Sequence, residues 1–116
     1  MIVTSQNMTH ETRENMRGGK GSVEFFHPIA ARGDLPEKCR LFAEIVVPSG
    51  ASMGYHEHSG ETEFYYVLEG EGILDDGHSR SVIRKGDTVV TGNGAGHSVE
   101  NESGADLKML ACIVLD

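Results

Sequence analysis

The chain has no tryptophan, two cysteines, three prolines and few aromatic residues: 6% of 116. It also lacks positive charge. Lys and Arg number 10 against 18 Asp and Glu, a formal charge of −8. That balance denies the broad basic surface that nucleic acid or an anionic membrane would require, and neither partner is expected. No apolar run approaches the ~20 residues of a membrane span. Met1 to Met16 is polar and carries no apolar signal segment, so the expected compartment is the cytoplasm. Cys39 and Cys112 cannot make a disulfide framework, and each sits in an apolar run, where a reduced core thiol is expected. There is no C-x-x-C pair for a zinc ribbon or thioredoxin-like site. Gly18-Gly19-Lys20-Gly21 lacks the spacing of a phosphate-binding loop, and no Gly-x-Ser-x-Gly supports serine hydrolysis.

Glycine is abundant instead: 15 of 116 residues, about twice the usual ~7%. The glycines fall between short apolar runs, which is the punctuation of an all-β protein. Strands are expected at Val23–Phe26, Arg40–Val47, Gly54–His58, Glu63–Glu69, Gly72–Asp75, Ser79–Arg84, Thr88–Thr91, His97–Glu100 and Leu107–Leu115. Asp76-Gly77 reads as a two-residue hairpin turn. Thr9 to Met16 is polar, with no sustained apolar stripe, and is read as one or two helical turns. A sandwich or barrel follows from strands so closely spaced.

Six histidines carry the chemistry: His10, His27, His56, His58, His78 and His97. His56 and His58 are two apart on an expected strand, so both rings share one face. A turn through Ser59-Gly60-Glu61-Thr62 leads to Glu63 at the start of the next strand. His97 follows the glycine-rich stretch Gly92-Asn93-Gly94-Ala95-Gly96. Three imidazoles and a carboxylate suit a borderline or hard divalent metal, and the absence of thiolates argues against closed structural zinc. Such His-x-His pairs also occur as plain surface residues. His10, His27 and His78 have no partner at ligand spacing and are read as surface or packing residues. Tyr65 and Val67 share a strand face with Glu63, which makes Tyr65 a candidate for the cavity wall or for ordinary core.

Gly50-x5-His56-x-His58-x4-Glu63-x6-Gly70 resembles the first motif of the cupin superfamily at every defined position. After 15 residues, Gly86-x5-Gly92-x-Gly94-x2-His97-x3-Asn101 resembles the second, with Gly92 where the family usually has proline. The resemblance implies an all-β, single-domain cupin barrel (a jelly roll, or double-stranded β-helix) over 23–116. Residues 1–22 would form an N-terminal arm, one that can be exchanged in a homodimer. It implies metal ligands at His56, His58, Glu63 and His97, and a divalent ion: manganese first, with iron, nickel or zinc as alternatives. Within the superfamily the chain is similar to single-domain cupins described as oxalate-decarboxylase-like. That implies a small carboxylate ligand or substrate, with decarboxylation or O₂-dependent oxidation as the leading reactions. A non-catalytic sensor or carrier and a metal-free interaction module are the alternative readings. The two-domain decarboxylases carry a substrate-binding Arg three residues before the first ligand His, and here Met53 stands there. Arg40 on a neighbouring strand is the candidate replacement cation.

Overall fold

Alternation of apolar and polar residues decides where the strands lie and which way they face. The computed structural model describes residues 1–29 and 32–116. These form strands β1 (Thr9–Glu14), β2 (Ser22–His27), β3 (Cys39–Val47), β4 (Ser52–Glu57), β5 (Glu61–Glu69), β6 (Glu71–Asp75), β7 (Arg80–Arg84), β8 (Thr88–Gly92), β9 (Gly96–Glu100) and β10 (Leu107–Leu115). They assemble into a six-stranded sheet, ordered β1-β2-β3-β10-β5-β8, and a four-stranded sheet, ordered β4-β9-β6-β7. All pairings are antiparallel. The architecture is the all-β jelly roll that the resemblance implies. No helix among the described residues is long and apolar enough to cross a membrane.

The register builds the interior in rows. In the large sheet, Phe25 pairs with Ile45, Ile45 with Met109 and Met109 with Val67. The next row is Ala43, Ala111, Tyr65 and Val89. All eight side chains are buried, and large ones contribute about 1.5–3 kcal/mol apiece relative to exposure. Tyr65 lies between Ala111 and Val89, with Ala43 beyond, so the bulk of that row is its ring. One step further, Leu41, Ile113, Glu63 and Thr91 stand in line. Here the interior turns polar.

Three expectations change. Thr9–Met16 does not coil, because Thr9–Glu14 is β1, paired along its length with β2. A polar segment without an apolar stripe gains little as a helix. As an edge strand it has its backbone hydrogen-bonded, and it lays His10 flat on its cross-strand partner Phe26, ring centroids 4.6 Å apart. A 3₁₀ turn follows at Met16–Gly18. The β6–β7 turn is also displaced by one residue. Asp76 N–H donates to the Ser79 carbonyl, so Gly77-His78 is the central pair, with Gly77 at φ +88°. Asp76 Oδ1 accepts from the backbone N–H groups of His78 and Ser79, a turn-capping role that displaces the pair. The cysteines are free and half-buried. Cys112 pairs with Phe42 and Phe64, and those two side chains are exposed, so it lies on the outer face of the large sheet and not in the core.

Asn101 ties the far end together. Its buried amide donates to the carbonyls of Val47 and Ala105, both at 2.8 Å, while its oxygen accepts from Ser103 N–H and Oγ–H. Asn101→Ala would strip its donor from the buried Val47 carbonyl, while the exposed Ala105 carbonyl would keep the Ser103 hydroxyl at 3.0 Å. The expected loss is about 1–3 kcal/mol in urea denaturation, and a loss below about 0.5 kcal/mol would refute this role.

Candidate metal centre

Each element contributes one side chain to the same point. β4 supplies His56, β5 supplies Glu63 and β9 supplies His97, directly opposite His56 in register. His58 lies one residue past the end of β4, and not on the strand. Its backbone is held from both sides by the glycine-rich loop: His58 N–H donates to the Ala95 carbonyl at 2.9 Å, and Gly94 N–H donates to the His58 carbonyl at 2.8 Å. β5 begins at Glu61, two residues earlier than expected, so Glu63 is its third residue and faces inward. The four potential ligand atoms lie within 4.8 Å of one another.

The outer nitrogen of each ring is anchored. His56 Nδ1–H donates to the Gly54 carbonyl at 2.9 Å. His58 Nδ1–H donates to Glu61 Oε2 at 2.5 Å. His97 Nδ1 meets the Thr91 hydroxyl at 2.8 Å. A carbonyl and a carboxylate only accept, so they hold the ring protons of neutral His56 and His58 on Nδ1. That leaves the Nε2 lone pairs aimed at the centre. His97 Nε2 lies 3.2 Å from Nε2 of both His56 and His58. Glu63 Oε1 lies 3.0 Å from Nε2 of His58 and His97, and 3.9 Å from that of His56. Although the nitrogens are close, no hydrogen bond reaches this buried oxygen. Facing lone pairs at this range repel. Donors placed about 2.1 Å from one ion and at right angles are about 3.0 Å apart, close to the spacing seen. The residues fit a metal ion: a group of three His and one Glu that could hold one.

Charge is distributed accordingly. Burial would raise the Glu63 carboxyl, but the surrounding imidazoles of His56, His97 and His58 overcome it and bring the pKa down to about 2. Burial also lowers His97, against the pull of Glu63, so this ring stays neutral and able to coordinate. Tyr65 is pushed well above its ordinary value by burial and by the Glu63 charge. Its ring stacks on His97 at 4.9 Å, and its hydroxyl lies 3.3 Å from His97 Nε2. Glu61 is held low chiefly by Arg40, with His58 assisting.

Above the ligands is a cavity of about 70 Å³, lined by His56, His58, Glu63, Tyr65, Arg40 and Arg17 among others. A water molecule occupies ~30 Å³ of liquid, so the space admits a molecule of few heavy atoms. Arg40 reaches this wall, but its Nε and Nη2 already donate to Glu61 at 2.9 and 2.8 Å. Met53 is buried in the core. The sequence reading missed Glu61, which links Arg40 to His58. The only available signal was an acidic residue three positions after a ligand histidine. It also missed Gly54 and Thr91, which orient the other two rings. His10, His27 and His78 stay away from the centre. His27 pairs with Glu11 at 3.0 Å and His10 pairs with Glu24.

Two sheets closed on a polar layer of three imidazoles and one carboxylate define a jelly-roll barrel with a group that could hold a metal ion. The cupin domain family matches over residues 43–113, and the chain belongs to that family. An oxalate-binding protein of Thermotoga maritima is 44% identical over 115 residues, 99% of this chain and 94% of that protein. The crystal structure of a predicted oxalate decarboxylase from Thermotoga maritima superposes with a TM-score of 0.92 at 44% identity, covering 100% of both chains. An uncharacterized protein of Methanocaldococcus jannaschii is 33% identical over 94 residues, 79% of this chain and 72% of that protein.

Acid should weaken the metal-free fold. Unfolded His97 takes up a proton near pH 6.5, whereas the buried ring resists protonation to a lower pH. Between those values only the unfolded chain gains the proton, so stability falls as pH falls. Glu63 adds to the loss lower down, between its ordinary 4.5 and its folded value of about 2. The melting temperature of EDTA-treated protein should drop between about pH 7 and about pH 5, and a flat profile would contradict a neutral buried His97.

Proposed function

We propose that the chain binds a divalent metal ion through His56, His58, Glu63 and His97, and that the ion takes a small carboxylate, oxalate first, in the cavity above it. The observation that carries this reading is Glu63 Oε1: a buried oxygen with no hydrogen bond, 3.0 Å from Nε2 of both His58 and His97. Nitrogen and oxygen donors without thiolate suit manganese, iron, nickel or zinc, and the resemblance to oxalate-decarboxylase-like cupins puts manganese first. Such an ion, when bound, supplies a Lewis-acid centre of net charge about +1 beside one carboxylate ligand, attractive to an anion with oxygen donors. The small cavity and the oxalate-binding relative support a short carboxylate over a larger ligand.

The chain's own residues do the positioning. Gly54, Glu61 and Thr91 hold the rings, and Tyr65 closes the floor of the cavity beside His97. Among the described residues, the cavity wall carries no carboxylate besides Glu63. Glu61 is committed to Arg40 and His58. That favours a binding protein, a sensor or carrier of a small acid, over a decarboxylase or dioxygenase. CO₂ release or O₂ uptake with oxalate by manganese-loaded protein would reverse this preference. Two free, half-buried cysteines support a reducing compartment, the cytoplasm.

A homodimer belongs to the same proposal. Phe42, Phe64, Tyr66 and Val90 are exposed on strands β3, β5 and β8, and all lie on the outer face of the large sheet. An exposed apolar face of this kind supports a partner copy. Exchange of residues 1–22 would keep the β1–β2 register between subunits instead of within one.

His58→Ala should lower both bound metal and the thermal stabilisation that metal confers, since binding to the folded state alone raises the melting temperature. Unchanged metal stoichiometry by elemental analysis would sink the ligand assignment. Sedimentation should give the mass of two chains at micromolar protein, and a monomeric mass would refute the dimer.

A further inference from the structure

A metal centre of net charge about +1 leaves a bound dianion with about one negative charge uncompensated. Three arginines line the cavity: Arg13, Arg17 and Arg40. Arg40 is bound by two hydrogen bonds to Glu61. Arg13 donates to Glu11 at 3.1 Å and rests over the Phe25 ring at 4.0 Å. The Arg17 guanidinium makes no ion pair among the described residues.

Arg17 also has an unusual backbone. Its φ is +54° and its ψ 32°, a left-handed conformation in which a long side chain is strained. The segment holding it there is well tied. Asn15 N–H donates to the Gly21 carbonyl at 2.9 Å, Gly19 N–H to Met16 at 2.9 Å, and Ser52 N–H on β4 to Lys20 at 2.9 Å. The Arg17 carbonyl presses on Gly54, where an added Cβ would come within 1.9 Å of that oxygen. The Gly54 carbonyl, in turn, accepts from His56 Nδ1–H. The strand residue that aims the first imidazole therefore also seats Arg17 over the cavity. Glycine would relax the backbone at position 17, and the chain has arginine.

We propose that Arg17 binds the outward carboxylate of a dicarboxylate held at the metal centre, and so selects a small dianion over a monocarboxylate. This rests on the carboxylate-binding reading above. It assigns to the N-terminal segment the cation that neither Met53 nor the Glu61-bound Arg40 provides.

The test is calorimetric titration of manganese-loaded wild type, Arg17→Gln and Arg17→Gly with oxalate and with acetate. Metal content is measured on each sample. Both variants should load manganese to the wild-type stoichiometry and lose oxalate affinity by about tenfold to a hundredfold, the range of a lost charge-assisted hydrogen bond. Acetate affinity should change by less than about threefold, because one carboxylate is consumed at the ion. Arg17→Gly should melt no lower than wild type, since glycine adopts this conformation without strain. Wild-type oxalate affinity in both variants, or equal losses for acetate and oxalate, would overturn the role of Arg17 and leave the carboxylate-binding reading standing. Manganese-loaded wild type that takes no oxalate would overturn that reading, and the role of Arg17 with it.

Discussion

Burying an ionised carboxylate oxygen without a hydrogen bond is costly, and in this barrel the cost falls on Glu63. Its Oε1 sits 3.0 Å from two imidazole nitrogens whose protons are drawn to the far side of the ring or shared with a hydroxyl. In the closed interior only imidazole rings meet that charge, and a positive species between the donors would satisfy all four at once. The surrounding structure is arranged to keep it so. A backbone carbonyl, a carboxylate and a threonine hydroxyl each hold one ring from behind. Removing such an outer partner leaves the ligand in place but free to turn, which is why outer partners weigh heavily at metal sites.

The same barrel is therefore two materials stacked along its axis. One end is apolar: Phe25, Ile45, Met109 and Val67, then Tyr65 between Ala111 and Val89. The other end begins one register row later with Glu63 and Thr91. The apolar rows provide the burial that holds the sheets together, and so allow the polar row to remain under-satisfied. Tyr65 is the boundary residue. Its ring belongs to the core, and its hydroxyl reaches the imidazole layer.

Net charge gives a poor guide to the site. The chain carries −8 overall, yet arginines gather at the cavity mouth. Two of them are neutralised locally by Glu11 and Glu61. The acidic surplus lies elsewhere on the surface, where solvent screens it. An anion approaching the cavity meets the local field and not the sum.

The spacing of glycines, histidines and Glu63 was legible in one dimension because strand period and turn chemistry are local. Residues two apart share a face, and glycine marks a turn wherever the chain is read. Nine strand positions followed from that, and the resemblance to the two cupin motifs implied the four-residue cluster. Thr9–Glu14 did not, since an edge strand of polar residues has no pattern until β2 lies beside it. Nor did the links from Glu61 to His58 and Arg40, or from Gly54 to both His56 and Arg17, which join residues brought close by sheet register and by backbone contact. The sequence by itself determined which side chains could serve the centre. The tertiary structure alone decided which of their atoms point inward, because ring orientation and charge pairing are set by neighbours distant along the chain.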